Sequence, residues 1–316
     1  MCLEEDELYI LKRLFTMIVT LWIIVTLTFL IMHFIPGDPF ASDAKSLPEE
    51  VVKNMRDKYH LNDPLPVQYF TYIKDLSQFD LGPSIQSKTR DVNALIGDGF
   101  GPSAVLGIQS LLVSIVFGIA LGVIAALNHN RLLDFFSMFV AIIGISVPSF
   151  ILGPLLIKYF AVEWGILPAA SWGTWQHTIL PTIALSVGPL AIIARFVRAS
   201  MIEVLNQNFI KTAEAKGLTS LEVIIKHGLR NALIPVISFI GPLFASVITG
   251  TFVIEKIFAI PGIGKYFVES IFNRDYPVIL GTTIFYSTIL ILTLFIVDIL
   301  YRVIDPRIKL VNGGKQ

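Results

Sequence analysis

Three observations predict an all-α membrane protein that crosses the bilayer six times. Apolar residues make up 54% of the 316 and charged residues only 15%, with mean hydropathy +0.72, more apolar and less charged than a soluble domain of that length. Six runs reach the roughly 20 apolar residues that a hydrocarbon core demands. They lie at about Leu11 to Ile35, Val105 to Leu127, Phe135 to Phe160, Ile179 to Phe196, Ala232 to Ile254 and Val278 to Leu300. Glycine and proline also recur inside these runs, as they do in membrane helices. A net charge of zero gives no footing for nucleic acid. Cys2 is the only cysteine, which excludes an intrachain disulfide or a cysteine-built metal site and leaves it as an inert residue.

The first run follows Lys12 and Arg13, as a secretory h-region would. From Leu14 to Ile35 it has the length of a full span, however, and it ends in Phe34-Ile-Pro-Gly-Asp-Pro39 with no small-x-small site. It is therefore read as a retained span. The segment beyond it contains two helices. One covers Val51 to Tyr59. The other covers Leu65 to Leu76, with Val67, Phe70, Ile73 and Leu76 near 3.6 spacing, and prolines punctuate the string between them.

In the second span, Gly118-x-x-x-Gly122 is a small-residue packing pair. Val147-Pro-Ser-Phe150 reads as a helix bend in the third, and Ser149 has no base near it that would make it a nucleophile. Gly153-Pro154, Gly188-Pro189 and Gly241-Pro242 are expected to bend or interrupt three different helices. The last span carries Asp298 one turn before Arg302, a geometry that suits a structural ion pair. His33 is expected to be a hydrogen-bonded interface residue, and Glu163 and Glu255 fall at boundaries where water is available. No chain of acids or histidines crosses the bilayer, which argues against an ion-coupled secondary transporter. No catalytic arrangement is present either.

Orientation follows from lysine and arginine. With the N-terminus inside, thirteen of the 24 fall on the inner side, and the short outer loops hold only Lys158, Lys256, Lys265 and Arg274. The tryptophans Trp164, Trp172 and Trp175 then form an outer interfacial belt, and both termini are cytoplasmic. The chain divides into residues 1–100, a span with a long extracytoplasmic segment; 101–308, the transmembrane core; and 309–316, a cytoplasmic tail.

The most informative stretch is polar and sits between the fourth and fifth spans. Phe209, Ile210 and Ala213 make an apolar stripe at helical spacing, and Lys211 and Glu214 can pair at i,i+3. Ala215 and Lys216 complete the turn. Gly217 suits the left-handed position that ends a helix, before Leu218. Thr219 and Glu222 make the capping box of the next helix, which runs toward Arg230. A short, self-terminating helix in a loop between spans offers a handle to a soluble partner.

Thr212-Ala-Glu-Ala-Lys-Gly-Leu218 and His227-Gly-Leu-Arg-Asn-Ala-Leu-Ile-Pro235 resemble the coupling loop of binding-protein-dependent ABC importer permeases, in particular the oligopeptide/dipeptide branch and its B-type subunit. Glu214 stands where that branch has Arg, and Gly228 where it has Ala. The strings Tyr59 to Tyr69, His33 to Pro39 and Asp80 to Ser84 are similar as well, so the resemblance runs from Leu11 to Leu310. It implies a type I importer permease fold in a bacterial cytoplasmic membrane. It also implies a heterodimer with a second permease subunit, two cytoplasmic ATPase subunits, an extracytoplasmic solute-binding protein and oligopeptide substrates. Dipeptides or nickel chelates are the alternative within the family. The coupling set is Phe209, Ile210, Ala213, Glu214, Ala215, Lys216, Gly217 and Leu218. Ala259-Ile-Pro-Gly-Ile-Gly264 and Asn273-Arg-Asp-Tyr-Pro277 match the family as a turn-rich outer loop, with Pro261, Gly262 and Gly264 as part of an outer gate or of the surface that receives the binding protein, the alternative being a connection that only joins two helices. No cofactor, metal or catalytic residue is implied. The nearest approach to a phosphate-cradling turn has Ala259 for its first glycine and Tyr266 for its hydroxyl, so ATP is hydrolysed on another subunit.

Overall fold

The computed structural model describes residues 2–34, 40, 48–87 and 89–304. Among them it is helical, with no strand beyond one bridge between Pro83 and Asp91. The helices are α1 (Cys2–Phe34), α2 (Glu49–Lys58), α3 (Leu65–Ser77), α4 (Val92–Leu127), α5 (Leu132–Ser146), α6 (Ser149–Leu156), α7 (Gln176–Leu205), α8 (Asn208–Ala215), α9 (Ser220–Glu222), α10 (Arg230–Ile257), α11 (Ile263–Asn273) and α12 (Tyr276–Ile304). Two π-helical segments, Ile157–Glu163 and Val223–Leu229, continue α6 and join α9 to α10.

Among the described residues, four helices are long and apolar enough to cross a membrane: Ile10–Phe34 within α1, α4, α7 and Tyr276–Ile299 within α12. The third expected span is broken. α5 and the helix starting at Ser149 meet at 102°, because Pro148 has no N–H to continue the ladder and holds Val147 extended (φ −96°, ψ 109°). The expected span Ala232 to Ile254 lies inside α10, whose 28 residues extend about 42 Å at 1.5 Å per residue. Of the bending or interruption expected at the glycine–proline pairs, interruption does not occur: Pro189 and Pro242 sit inside α7 and α10, and Pro154 lies inside α6 shortly before the π-helical register begins. Arg302, the expected partner of Asp298, has a side chain outside the described residues, as do residues 309–316 in full.

The chain forms two compact units, Met1–Gly101 with Pro261–Ile291, and Pro102–Ile260 with Leu292–Gln316. In the first, Phe29 and Met32 of α1 pack with Tyr276, Ile279 and Leu280 of α12. His33 is held as expected, Nδ1 by the Phe29 carbonyl at 2.8 Å and Nε2 by Gln68 Oε1 at 3.0 Å. In the second, α7 is the hub, with Ile193, Val197 and Met201 buried against Ala232, Val236 and Leu243 of α10. The Gly118/Gly122 pair is the seam between α4 and α7. A Cβ on Gly118 would stand 2.8 Å from Ile193 Cβ, and one on Gly122 2.6 Å from Val197 Cβ.

Glu255 corrects an expectation. It is 0% exposed, not at a wet boundary, and accepts a 2.6 Å hydrogen bond from Ser103 Oγ. After α10 the chain folds back, the Ile260 N–H reaching the Glu255 carbonyl at 2.8 Å, and buries Phe258 and Ile260 beside Ile254.

Candidate functional site

The loop after α7 is built almost entirely from local chemistry. α8 begins after an extended Gln207 and ends in a double-bonded cap. The Leu218 N–H reaches the Ala213 carbonyl (3.4 Å) and the Gly217 N–H reaches that of Glu214 (2.9 Å), with Gly217 left-handed at φ +80°. Leu218 then packs on the cluster that contains Ala213, the apolar contact that accompanies this cap. Thr219 and Glu222 form the expected capping box: Thr219 Oγ1 accepts from the Glu222 N–H, and Glu222 Oε2 accepts from the Thr219 N–H at 3.2 Å. The backbone N–H and then the hydroxyl of Thr219, followed by Lys226, hold the exposed Glu222 carboxyl below its ordinary range.

The apolar stripe divides. Ile210 (2% exposed) and Ala213 (5%) are buried against Val223, flanked by Val204 and Leu218. Only Phe209, 43% exposed, faces outward. With the stripe turned inward, Lys211, Glu214, Ala215, Lys216 and Gly217 project into solvent. Lys211 and Glu214 do not make the expected pair; long side chains on an exposed turn gain little by meeting in water. Leu221 and Ile225, exposed and one turn apart, add apolar surface that sequence reasoning did not assign. Spacing alone was the available signal.

Asp134, buried at the start of α5, accepts a two-pronged bond from Arg198 of α7, Nε to Oδ1 at 2.5 Å and Nη2 to Oδ2 at 2.7 Å. The Asn130 N–H adds a third at 2.9 Å. Read from sequence, Arg198 is only an inner-side cation.

The expected gate residues lie where α11 begins. Pro261 is exposed, Gly262 is the extended residue before the helix, and Gly264 is buried inside its first turn. α4 passes close: a Cβ on Gly99 would stand 2.7 Å from the Ile263 nitrogen. The expected turn-rich loop therefore carries an 11-residue helix, α11, between its two turns. At the second turn sequence reasoning missed Asp275. It is 2% exposed and accepts from Ser84 Oγ (2.5 Å), the Ile85 N–H (3.1 Å) and the Gln86 N–H (3.0 Å), while also facing the Val278 N–H in the first turn of α12. Tyr59 donates to the Ser84 carbonyl at 2.9 Å, and burial, then the Asp275 charge, pushes its phenol up.

No group of three or more metal-ligating side chains occurs among the described residues. Residues 118–310 match the family described as binding-protein-dependent transport system inner membrane component, and residues 8–86 match the N-terminal model of that family. The chain is 54% identical over 306 residues to the dipeptide transport system permease protein DppB of Bacillus subtilis (strain 168), covering 97% of this chain and 99% of that protein. It is 46% identical over 303 residues to the oligopeptide transport system permease protein OppB of Escherichia coli (strain K12), covering 95% and 99%. Among solved structures it resembles the inward-facing MetNI methionine ABC transporter, at TM-score 0.55 and 19% identity over 67% of this chain and 96% of that one. An amino acid ABC transporter solved with histidines gives TM-score 0.53 and 12% identity over 66% and 94%.

Proposed function

We infer the function from one premise: the chain belongs to the family of binding-protein-dependent transport system inner membrane components. It is a membrane-embedded permease subunit of an ATP-driven ABC importer, with ATP hydrolysed on a separate subunit and a substrate-binding protein as partner. It is not itself an enzyme.

Beyond that, the reading is that this chain forms half of an oligopeptide pore, completed by a second, non-identical permease. Two ATPases sit beneath it and a binding protein above, in a bacterial cytoplasmic membrane with both termini inside. A dipeptide pore is the second reading, favoured by the dipeptide name of the 54% identical relative. The observation that carries the coupling role is the build of α8. Ile210 and Ala213 seat it on Val204 and Val223, and Phe209, Glu214, Ala215, Lys216 and Gly217 stay exposed to a partner. ATPase closure on that face tips α7 and α10. Pro261, Gly262 and Gly264, at the start of α11, are the outer gate of this reading.

The test is uptake by the complete reconstituted transporter, using a labelled pentapeptide with excess unlabelled dipeptide or pentapeptide. The reading expects ATP-dependent uptake that only the pentapeptide competes. Full competition by dipeptide moves the assignment to the second reading, and uptake that persists without ATP overturns both.

A further inference from the structure

We propose that α3 is an interfacial helix whose outward face, Val67 and Phe70, lies among the lipid headgroups and upper acyl chains beside α1. The depth is read from α1. Lys12 and Arg13 mark one end of its apolar stretch, and about 20 residues at 1.5 Å each bring the 30 Å hydrocarbon core to His33 or Phe34. α3 sits against the last turns of that stretch. Tyr69 Oη meets Thr26 Oγ1 at 2.7 Å, Tyr72 stacks on Phe29 with centroids 6.2 Å apart, and Gln68 holds His33. Thr26 is eight residues, about 12 Å, short of the helix end. The helix is therefore level with residues 26–33 of a membrane span, not above it in water.

Its other face fits that level. Val67 is 48% exposed and Phe70 69%, and α1 exposes Leu27, Ile31 and Phe34 at the same depth, so the apolar surface that lipid covers on α1 continues onto α3. Lys74, one turn beyond Phe70 and exposed, has the reach to place its ammonium among headgroup phosphates. Thirteen residues extend only about 20 Å, too short to span, and a prolyl start at Pro64 and Pro66 limits it further. A lipid surface accounts for an exposed phenylalanine at this depth. The inference rests on the chain's being membrane-embedded and not on what the pore carries.

The experiment uses the complete complex in nanodiscs with Cys2→Ser and single nitroxide-labelled cysteines at V67C, F70C, K74C and, as a water control, N62C. Collision with oxygen should exceed collision with a water-soluble nickel chelate several-fold at 67 and 70, fall toward parity at 74 and reverse at 62. Nickel excess at 70 puts the face in water and overturns the proposal. Low collision with both reagents puts it under protein and overturns it equally. Should the cysteine variants fail to assemble, Phe70→Trp reads the same contact: brominated lipid should quench its added fluorescence, and no added quenching overturns the proposal.

Discussion

A buried carboxylate that accepts from a hydroxyl and two backbone amides leaves all three donors without acceptors when it is truncated. Asp275 does this across sequence separations of 191, 190 and 189 residues, fastening the Ser84–Gln86 turn to the start of α12. Asp275→Ala should therefore cost on the order of 3 kcal/mol, as expected for several charge-assisted bonds lost at a buried site. Asp275→Asn keeps one acceptor oxygen and should lose about half as much. The measurement is the thermal unfolding midpoint of the purified complex in detergent; an unchanged midpoint for the alanine variant would show that the turn is held by something else. Neither this bond nor the Asp134–Arg198 fork was legible in the sequence, although the strings containing Ser84 and Asp275 were. Short-range chemistry says that an aspartate before Tyr-Pro starts a helix. It says nothing of which turn 190 residues away that aspartate also holds. Glu255 was misplaced for the same reason: the Ser103 hydroxyl that it accepts from lies 152 residues away in sequence.

At the scale of the element, the loop from α8 to α9 was legible because each partner lies within about five residues of the other. The double-bonded cap and the capping box are local, so the sequence specifies both. Which way the stripe faces is not local, and Ile210 and Ala213 turned out to be the inside of the motif. Nothing stands within 4 Å of a Cβ placed on Gly217, so its constraint is purely conformational: φ is +80°. Gly217→Asn, which tolerates that region, should keep most peptide uptake, while Gly217→Val should uncouple it at least tenfold with normal amounts in the membrane. Co-purification of the ATPases with each variant, beside uptake, is the check. Normal values for valine would mean the cap has no part in coupling.

For the whole molecule, four of the six expected spans were legible as apolar lengths among the described residues, but the 102° break at Val147-Pro148 was readable only as a bend of unstated size. Proline fixes that a ladder stops and leaves the new direction to packing. The lysine and arginine asymmetry leads to a prediction of topology. In a Cys2→Ser background, cysteine at Asn62 should react with an impermeant maleimide in intact cells, and cysteine at Ser220 only after the membrane is opened; both positions are exposed. The reverse pattern would invert the protein and remove α8 from the side where ATP is hydrolysed. The seating of α8 also has a mechanical meaning. Its apolar backing is already filled by Val204 and Val223, so it has little compliance of its own. A load applied at Phe209 passes into the end of α7 and, through the unbroken helical run from Ser220 to Ile257, into α10. A slack tether of equal length would absorb such a stroke as bending. In the coupling proposed for α8, this one would turn it into simultaneous tilt of two helices.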